Sequence, residues 1–437
     1  MKLCNVLFFL TAIISTSACG GGGGSSTAPT VSSTPVVSSS SSSILLESSS
    51  SSSLASSSSS VSSVASSQLY PSYNTKPIAP DMTGVGSTAT QIASKMKLGF
   101  NIGNTLEATG GKTETYWGNP KITKEFVKFV KDSGFTAIRL PVSWDQYSNQ
   151  ATAEIESDWL NRVKEVVQHC IDNDIYVIVN IHWDGGWLEN NVTPEKQIAN
   201  NAKQKAFWEQ IATQLRDFDE RVIFAGANEP NVETAAQMNV LLSYHQTFVD
   251  TVRATGGKNA YRTLIVQGPS TDVEKTNKLM TQMPVDTVTN RMMAEVHYYT
   301  PWNFAGMTKD ESWGNQFFYW GKGFHSTTDT AHNPTWGEED TVDTMFKLMK
   351  TQFVDKGIPV IVGEFGTGIR ESLKTDAAAY KLHLDSRAYY FKYITKQALA
   401  NGLQPFFWDT GSMLDRKNNV VLDQQALDAL IQGATGK

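Results

Sequence analysis

The sequence predicts an α/β protein: a (β/α)8 barrel of the TIM type, preceded by a disordered Ser-rich linker. Two observations predict it. Eight short apolar runs alternate with amphipathic stretches through residues 70–437, and polar or charged residues gather just after the C-terminal ends of seven of those runs. Parallel strands covered on both faces read as continuous hydrophobic runs, and closing them into a barrel brings every C-terminal end to one face.

Taken in order, the chain opens with Met1 and Lys2, apolar Leu7 to Leu10 and Ala12 to Ile14, then small residues before Cys19. This is the pattern of an export signal over residues 1–19, too short for a spanning helix, which needs ~20 apolar residues. The small residues before Cys19 and the glycines behind it resemble a bacterial lipoprotein signal. That resemblance implies lipidation of Cys19, an outer-membrane lipid anchor and a cell-surface protein. Thr16 stands where such signals carry a branched aliphatic residue, so ordinary secretion stays open. Residues 20–69 are Gly, then Ser with scattered Val, Leu, Ala and Thr. Such a segment buries too little apolar surface to offset chain entropy and reads as a flexible tether. Of the 3 cysteines only Cys170 lies beyond the signal, so the body is held together by its core; Cys170 reads as a small buried apolar residue.

In the body, residues 97–101, 135–139, 175–180, 222–227, 263–267, 292–296, 359–363 and 405–408 read as strands. Residues 123–132, 157–173, 194–217, 234–255, 340–356 and 376–401 read as amphipathic helices. A doubly wound open sheet is the alternative, but no Gly-rich phosphate fingerprint follows the first strand, whose exit begins Asn101, Ile102, Gly103, Asn104. The fourth run is apolar for a strand's length and then ends in Asn228, Glu229 and Pro230, the proline stopping the ladder. The seventh repeats the arrangement and hands over Glu364. Asn101 and Asn104 follow the first strand, Arg139 the second, and His182, Trp183 and Asp184 the third; His297 and Tyr299 follow the sixth, Trp408 and Asp409 the eighth.

A net charge of -6 with 18% charged residues describes an ordinary soluble surface and argues against nucleic acid, which calls for basic patches. The 7 histidines show no paired helical spacing, so no metal site is expected and no cofactor. Two carboxylates across a barrel mouth suit hydrolysis of a glycosidic bond, one group protonating the leaving oxygen and the other acting as nucleophile or base. Retention needs them about 5–5.5 Å apart and inversion about 6.5–9.5 Å, and both schemes stay open at this point. Arg139 beside one carboxylate would keep it ionised, while apolar surroundings and a like charge would hold the other protonated.

Ile138-Arg139-Leu140-Pro141, Asn180-Ile181-His182, Asn228-Glu229-Pro230, His297-Tyr298-Tyr299, Gly363-Glu364-Phe365 and Phe407-Trp408 together resemble glycoside hydrolase family 5, across essentially the whole body. Residues 99–106 and Tyr116-Trp117-Gly118-Asn119-Pro120 are similar to its subfamily 4, which contains endo-β-1,4-glucanases, xyloglucanases and licheninases. The resemblance implies a retaining double displacement with Glu229 as acid/base and Glu364 as nucleophile. It implies that Asn228 bonds the sugar 2-hydroxyl and that Arg139 orients and ionises Glu364. His182, His297 and Tyr299 would hold the sugar and the nucleophile, and Trp408 would form the floor under a sugar ring. Asn104 is expected among the sugar-binding residues. Trp183 replaces a second histidine found in many relatives and would add stacking area.

Residues 300–341 form a long segment holding Trp302, Trp313, Trp320 and Trp336. Long loops in compact domains are usually functional, and Trp302 with one or two of the others is expected to line product-side sugar sites; packing of the loop onto the barrel rim is the alternative. The expected partner is a plant polysaccharide, xyloglucan first, with cellulose, mixed-linkage glucan and mannan as alternatives, and the chain is expected to act as a monomer. A non-catalytic surface glycan-binding protein is the reading of a different class; the presence of both Glu229 and Glu364 weighs against it.

Overall fold

A computed structural model describes residues 69–436. The expected export signal, Cys19 and the linker up to residue 68 lie outside the described residues.

Eight strands form the barrel: Gly99–Ile102 (β1), Ala137–Leu140 (β2), Tyr176–Asn180 (β3), Val222–Ala225 (β4), Leu264–Gln267 (β5), Met292–Tyr298 (β6), Val360–Phe365 (β7) and Leu403–Asp409 (β8). Each pairs in parallel with the next, and β8 closes onto β1 with Phe407 opposite Phe100 and Trp408 opposite Asn101. The helices that follow them are Lys124–Asp132 (α1), Ser157–Asp172 (α2), Gln197–Gln214 (α3), Ala235–Ala254 (α4), Val273–Leu279 (α5), Glu339–Gln352 (α6), Ala377–Ala400 (α7) and Gln424–Thr435 (α8). The predicted barrel is the one observed.

Side chains alternate across each strand, so one set points inward and the other outward. The outward set, including Phe100, Ile138, Val177, Val179, Phe224 and Val362, merges with the helices into one core. Trp208 on α3 meets Phe224 of β4 at 5.5 Å and Phe248 of α4 at 4.6 Å between ring centroids; such pairs contribute about 0.5–1.5 kcal/mol each beyond their burial. The inward set is apolar at one end: Ala137, Ile178, Ile223, Ile265, Met293, Ile361 and Phe406 form a separate cluster. The short helix Ala89–Ala93 plugs that end with Ala89, Ile92 and Ala93, and its start is fixed by a capping box between Thr88 and Gln91. Two residues further along the strands stand Asn101, Arg139, Asn180, Gln267, Glu295 and Gly363. The same period of two that builds the plug thus delivers a polar layer beneath the barrel mouth.

Two glycines make this interior possible. A Cβ on Gly99 would lie 2.1 Å from the Phe406 ring, and one on Gly363 would lie 2.0 Å from Glu295 Oε1. The helix ends follow ordinary capping: Thr123 accepts from Phe126 N–H at α1, and Asp376 accepts from Ala378 and Ala379 N–H at α7. Two of the eight barrel helices were not expected. α5 has only seven residues and buries only Val273 and Thr276, leaving no apolar stripe to read. α8 does carry one, with Ala426, Leu427, Ala429, Leu430 and Gly433 buried behind the N-cap Asp423, and packs on α7. The expected helix over 194–217 is shorter at both ends, residues 215–218 leaving the helix in turns. Cys170 is free and buried, its thiol pushed up by burial, as its place in an amphipathic helix suggested. No helix among the described residues is long and apolar enough to cross a membrane.

Candidate active site

Arg139, at the end of β2 and fully buried, is the hub. Its Nε stands 2.9 Å from Glu295 Oε1, Nη1 donates to Glu364 Oε1 at 2.8 Å and to Asn101 Oδ1 at 3.1 Å, and Nη2 donates to Asn228 Oδ1 at 2.7 Å. One rigid guanidinium therefore sets the positions of residues from β1, β6 and β7 and from the loop after β4. Tyr299 donates its hydroxyl to Glu364 Oε2 at 3.0 Å, so both oxygens of that carboxylate are held. Burial keeps the Tyr299 phenol far above its ordinary range, which makes it a neutral donor.

His297 lies between the carboxylates, with Nδ1 2.7 Å from Glu229 Oε1 and 3.7 Å from Glu364 Oε2, and Nε2 3.3 Å from Glu295 Oε1. Burial alone would depress its proton affinity, but Glu364, Glu229 and Glu295 overcome this and raise it to about 10. The imidazole is therefore cationic at neutral pH and donates from both nitrogens. For Glu364, burial is the largest influence and pushes the carboxyl above its ordinary value; His297 and Arg139 pull it back and Glu229 adds to the rise. This amends the expectation that Arg139 sets the charge of Glu364: the cation opposes burial without outweighing it. One oxygen from each of Glu229 and Glu364 and one His297 nitrogen lie within 4.8 Å of one another, a cation-ligand-like cluster whose charge Arg139 and the protonated imidazole already balance.

The other expected residues take their places around this centre. His182 is kept neutral by burial and by the nearby Arg139 and His297 charges, and its ring stacks on Trp408 at 5.7 Å and 10°. Trp183 beside it is 38% exposed, leaving part of its ring open to solvent. Asn104 follows β1 with φ 59°, its carbonyl accepting from Asn119 Nδ2 at 2.9 Å. Trp302 is half-exposed at the start of the turn Trp302–Ala305, three residues past Tyr299. Trp320 is different: it is fully buried against Tyr389, Tyr390 and Tyr393, with its Nε1 donating to Gly337 O, and packs the loop onto the barrel. Asp184 is also structural, its carboxylate accepting from Trp144 and Asp145 N–H at 2.7 Å.

Two site residues escaped the sequence reading. Glu295 is fully buried in β6; burial would raise its carboxyl, but Arg139 above all, with His297 and Gln267, holds it below the ordinary value. A glutamate at every-second spacing with His297 in an otherwise apolar strand was the signal. Glu189, in the loop after β3, accepts the Glu229 backbone N–H at 2.7 Å and is bonded by the Asn228 side chain. With Arg139 on the Asn228 oxygen and Glu189 on its nitrogen, one amide N–H of Asn228 is left for a substrate hydroxyl. Burial, reinforced by Glu229, pushes the Glu189 carboxyl from 4.5 up to about 8. The folded state thus keeps a proton that the unfolded chain releases near pH 4.5, and stability falls as pH rises between these values. Glu189→Gln, permanently neutral, is expected to melt increasingly above the parent as pH goes from about 5 to about 8. An unchanged difference across that range in thermal melts would contradict this reading.

A closed parallel barrel carrying two close carboxylates, an arginine hub and aromatic walls at its C-terminal face defines a barrel hydrolase of the glycosidase type. The comparisons agree with it. The profile of the cellulase family, glycosyl hydrolase family 5, matches residues 100–413. The chain is 38% identical to a xyloglucan-specific endo-β-1,4-glucanase of Bacteroides ovatus over 82% of this chain and 72% of that protein, and 37% identical to endoglucanase A of Paenibacillus barcinonensis over 83% and 94%. Among solved structures, a Bacteroides ovatus GH5 xyloglucanase in complex with a XXXG heptasaccharide superposes with TM-score 0.77 at 36% identity, covering 83% of this chain and 80% of that one. A GH5 xyloglucan-specific β-1,4-glucanase from a ruminal metagenomic library, in complex with XXLG, gives 0.74 at 37%, covering 80% and 96%. The chain belongs to glycoside hydrolase family 5 and is an O-glycosyl hydrolase.

Proposed function

We propose that the protein is a retaining endo-β-1,4-glucanase acting first on xyloglucan, with Glu364 as nucleophile and Glu229 as acid/base. The observation that carries the mechanism is the approach of the two carboxylates, within 4.8 Å at their facing oxygens, which suits the close pair of a retaining enzyme better than the wider spacing that inversion needs. Glu364, gripped by Arg139 and Tyr299, attacks the anomeric carbon. Glu229, 38% exposed and open to the cleft, gives its proton to the leaving glycosidic oxygen. The covalent glycosyl-enzyme is then opened by a water whose proton returns to Glu229, releasing Glu364. Asn228 offers its remaining amide N–H to the sugar 2-hydroxyl, and Trp408 stacked on His182 provides an apolar floor.

The xyloglucan preference is supported by relatives that bear that name and by the exposed indoles of Trp183 and Trp302, which suit a broad, branched chain. Relatives named simply endoglucanase, and neighbours described as broad-specificity endoglucanases, support plain or mixed-linkage β-glucan as the second reading. Reducing-end release from xyloglucan, carboxymethylcellulose, mixed-linkage glucan and mannan decides between them. Xyloglucan is expected to be cleaved about tenfold or more faster than the others, a difference of ~1.4 kcal/mol. Activity confined to mannan would overturn the glucan assignment.

A further inference from the structure

Beyond the catalytic centre, the loop between β6 and α6 forms a groove of about 550 Å³ lined by Asn303, Trp313, Asn315, Phe317, Thr335 and Trp336, within the ~300–1,000 Å³ span usual for ligand sites. Trp313 is 58% and Trp336 50% exposed, although both lie in a well-packed loop where apolar rings are normally turned inward, as Trp320 is. None of the lining residues carries a charge. Asn303 is only 4% exposed, and its Nδ2 is spent on Asn315 O at 2.7 Å, yet its Oδ1 accepts no hydrogen bond from any described residue. That oxygen is within reach of solvent, so a ligand hydroxyl could take the place of water on it. The Asn315 Oδ1 and Thr335 hydroxyl are equally without protein partners.

Flat indole faces combined with neutral amide and hydroxyl groups match the chemistry of an uncharged sugar chain, whose C–H faces stack on aromatic rings while its hydroxyls bond amides. An anionic or peptide ligand would call for charged or backbone-pairing groups that the groove lacks. The groove also adjoins the cleft. Asn303 is four residues from Tyr299, which touches Glu364, so at most about 14 Å of chain separates them. Gly337, next to Trp336, lies against Pro301, where a Cβ would come within 2.7 Å of the ring. The Trp302–Ala305 turn therefore forms a shared wall, with the half-exposed Trp302 at its start.

We propose that this groove is a distal glycan-binding site that takes an uncharged β-glucan chain where it leaves the catalytic cleft past Trp302. The assignment rests on the glycosidase reading above. It makes the enzyme discriminate by chain length: short substrates fill only the catalytic centre, and long ones gain the two indoles and the open amides.

The test compares the parent with Trp313→Ala, Trp336→Ala and the double variant on two substrates, a chromogenic cellobioside and polymeric xyloglucan. The cellobioside should be hydrolysed with unchanged kcat/KM by all four, which also reports correct folding. KM for the polymer should rise about 5- to 10-fold in the double variant, the loss of one to two aromatic contacts, with kcat little changed. Equal KM values for the polymer, or a matching fall on both substrates, would overturn the distal site. A parent that cleaves no β-1,4-glucan at all would instead defeat the glycosidase reading, so the two failures are separate.

Discussion

Glu364→Ala is expected to remove detectable turnover on every substrate, whereas Glu229→Ala should lose activity only where the leaving group needs a proton. On polymeric glucan the loss in Glu229→Ala should be about 10²–10⁴-fold, the usual worth of a positioned general acid. On an aryl glycoside with an acidic phenol, formation of the glycosyl-enzyme should proceed at close to the parental rate, and the second step should become limiting because no base activates the water. A burst of phenol followed by a slow steady state is therefore the expected trace. Azide, which needs no base, should accelerate that steady state by trapping the intermediate. The reasoning comes from where each group sits. Both Glu364 oxygens are fixed, by Arg139 and by Tyr299, as an in-line attack requires. Glu229 is more exposed than Glu364, 38% against 8%, and has its backbone anchored to Glu189 instead. If both variants lost the activated substrate equally, these roles would have to be withdrawn.

That the two carboxylates could be picked out from sequence follows from how a parallel barrel works. Residues 222–227 and 359–363 are apolar because their strands are covered on both faces, so the first charge after each stands out against its background. Asn228 and Arg139 were readable for the same reason, as was the convergence of seven strand ends. The inner layer was harder. Glu295 lies inside a strand, and only the alternation Met293, Glu295, His297 reveals that it points into the barrel; its stability there depends on Arg139 from a strand 156 residues earlier. Glu189 was invisible because its partner is a backbone N–H, which leaves no mark in sequence. The loop tryptophans show the same limit. Trp320 follows Phe317, Phe318 and Tyr319 and is clamped between tyrosines of α7, whereas Trp336 stands among polar residues and faces outward; the local composition hints at the difference, but the partners on α7 come from tertiary packing. Helix α5 failed for want of an apolar stripe, since most of its seven residues face solvent or its neighbours' edges.

The largest effect on stability is expected from Arg139→Met. The side chain is of similar volume, but the guanidinium contacting the inner layer disappears, leaving the fully buried Glu295 and the nearly buried Glu364 beside Glu229 with His297 as their remaining cation among the described residues. Breaking a buried ion pair from one side costs about 3–5 kcal/mol, because the surviving charge keeps its desolvation penalty and loses its partner. The pH dependence distinguishes this from a packing defect. In the parent, Glu295 is held below its ordinary value, so it contributes stability above the unfolded pKa that is lost as pH falls through the folded one. Without Arg139, burial acts with less opposition and its carboxyl rises above the ordinary value. The folded variant then binds an extra proton, and its stability declines as pH increases through that raised value. The deficit against the parent should accordingly be smaller near pH 5 than near pH 8, in chemical denaturation followed by tryptophan fluorescence. Adding Glu295→Gln, which removes the orphaned charge, should restore a substantial part of the loss at pH 8 and little at pH 5. A deficit that is the same at both pH values and indifferent to Glu295→Gln would mean that Arg139 contributes volume and hydrogen bonds there, and that its charge is not what holds the inner layer together.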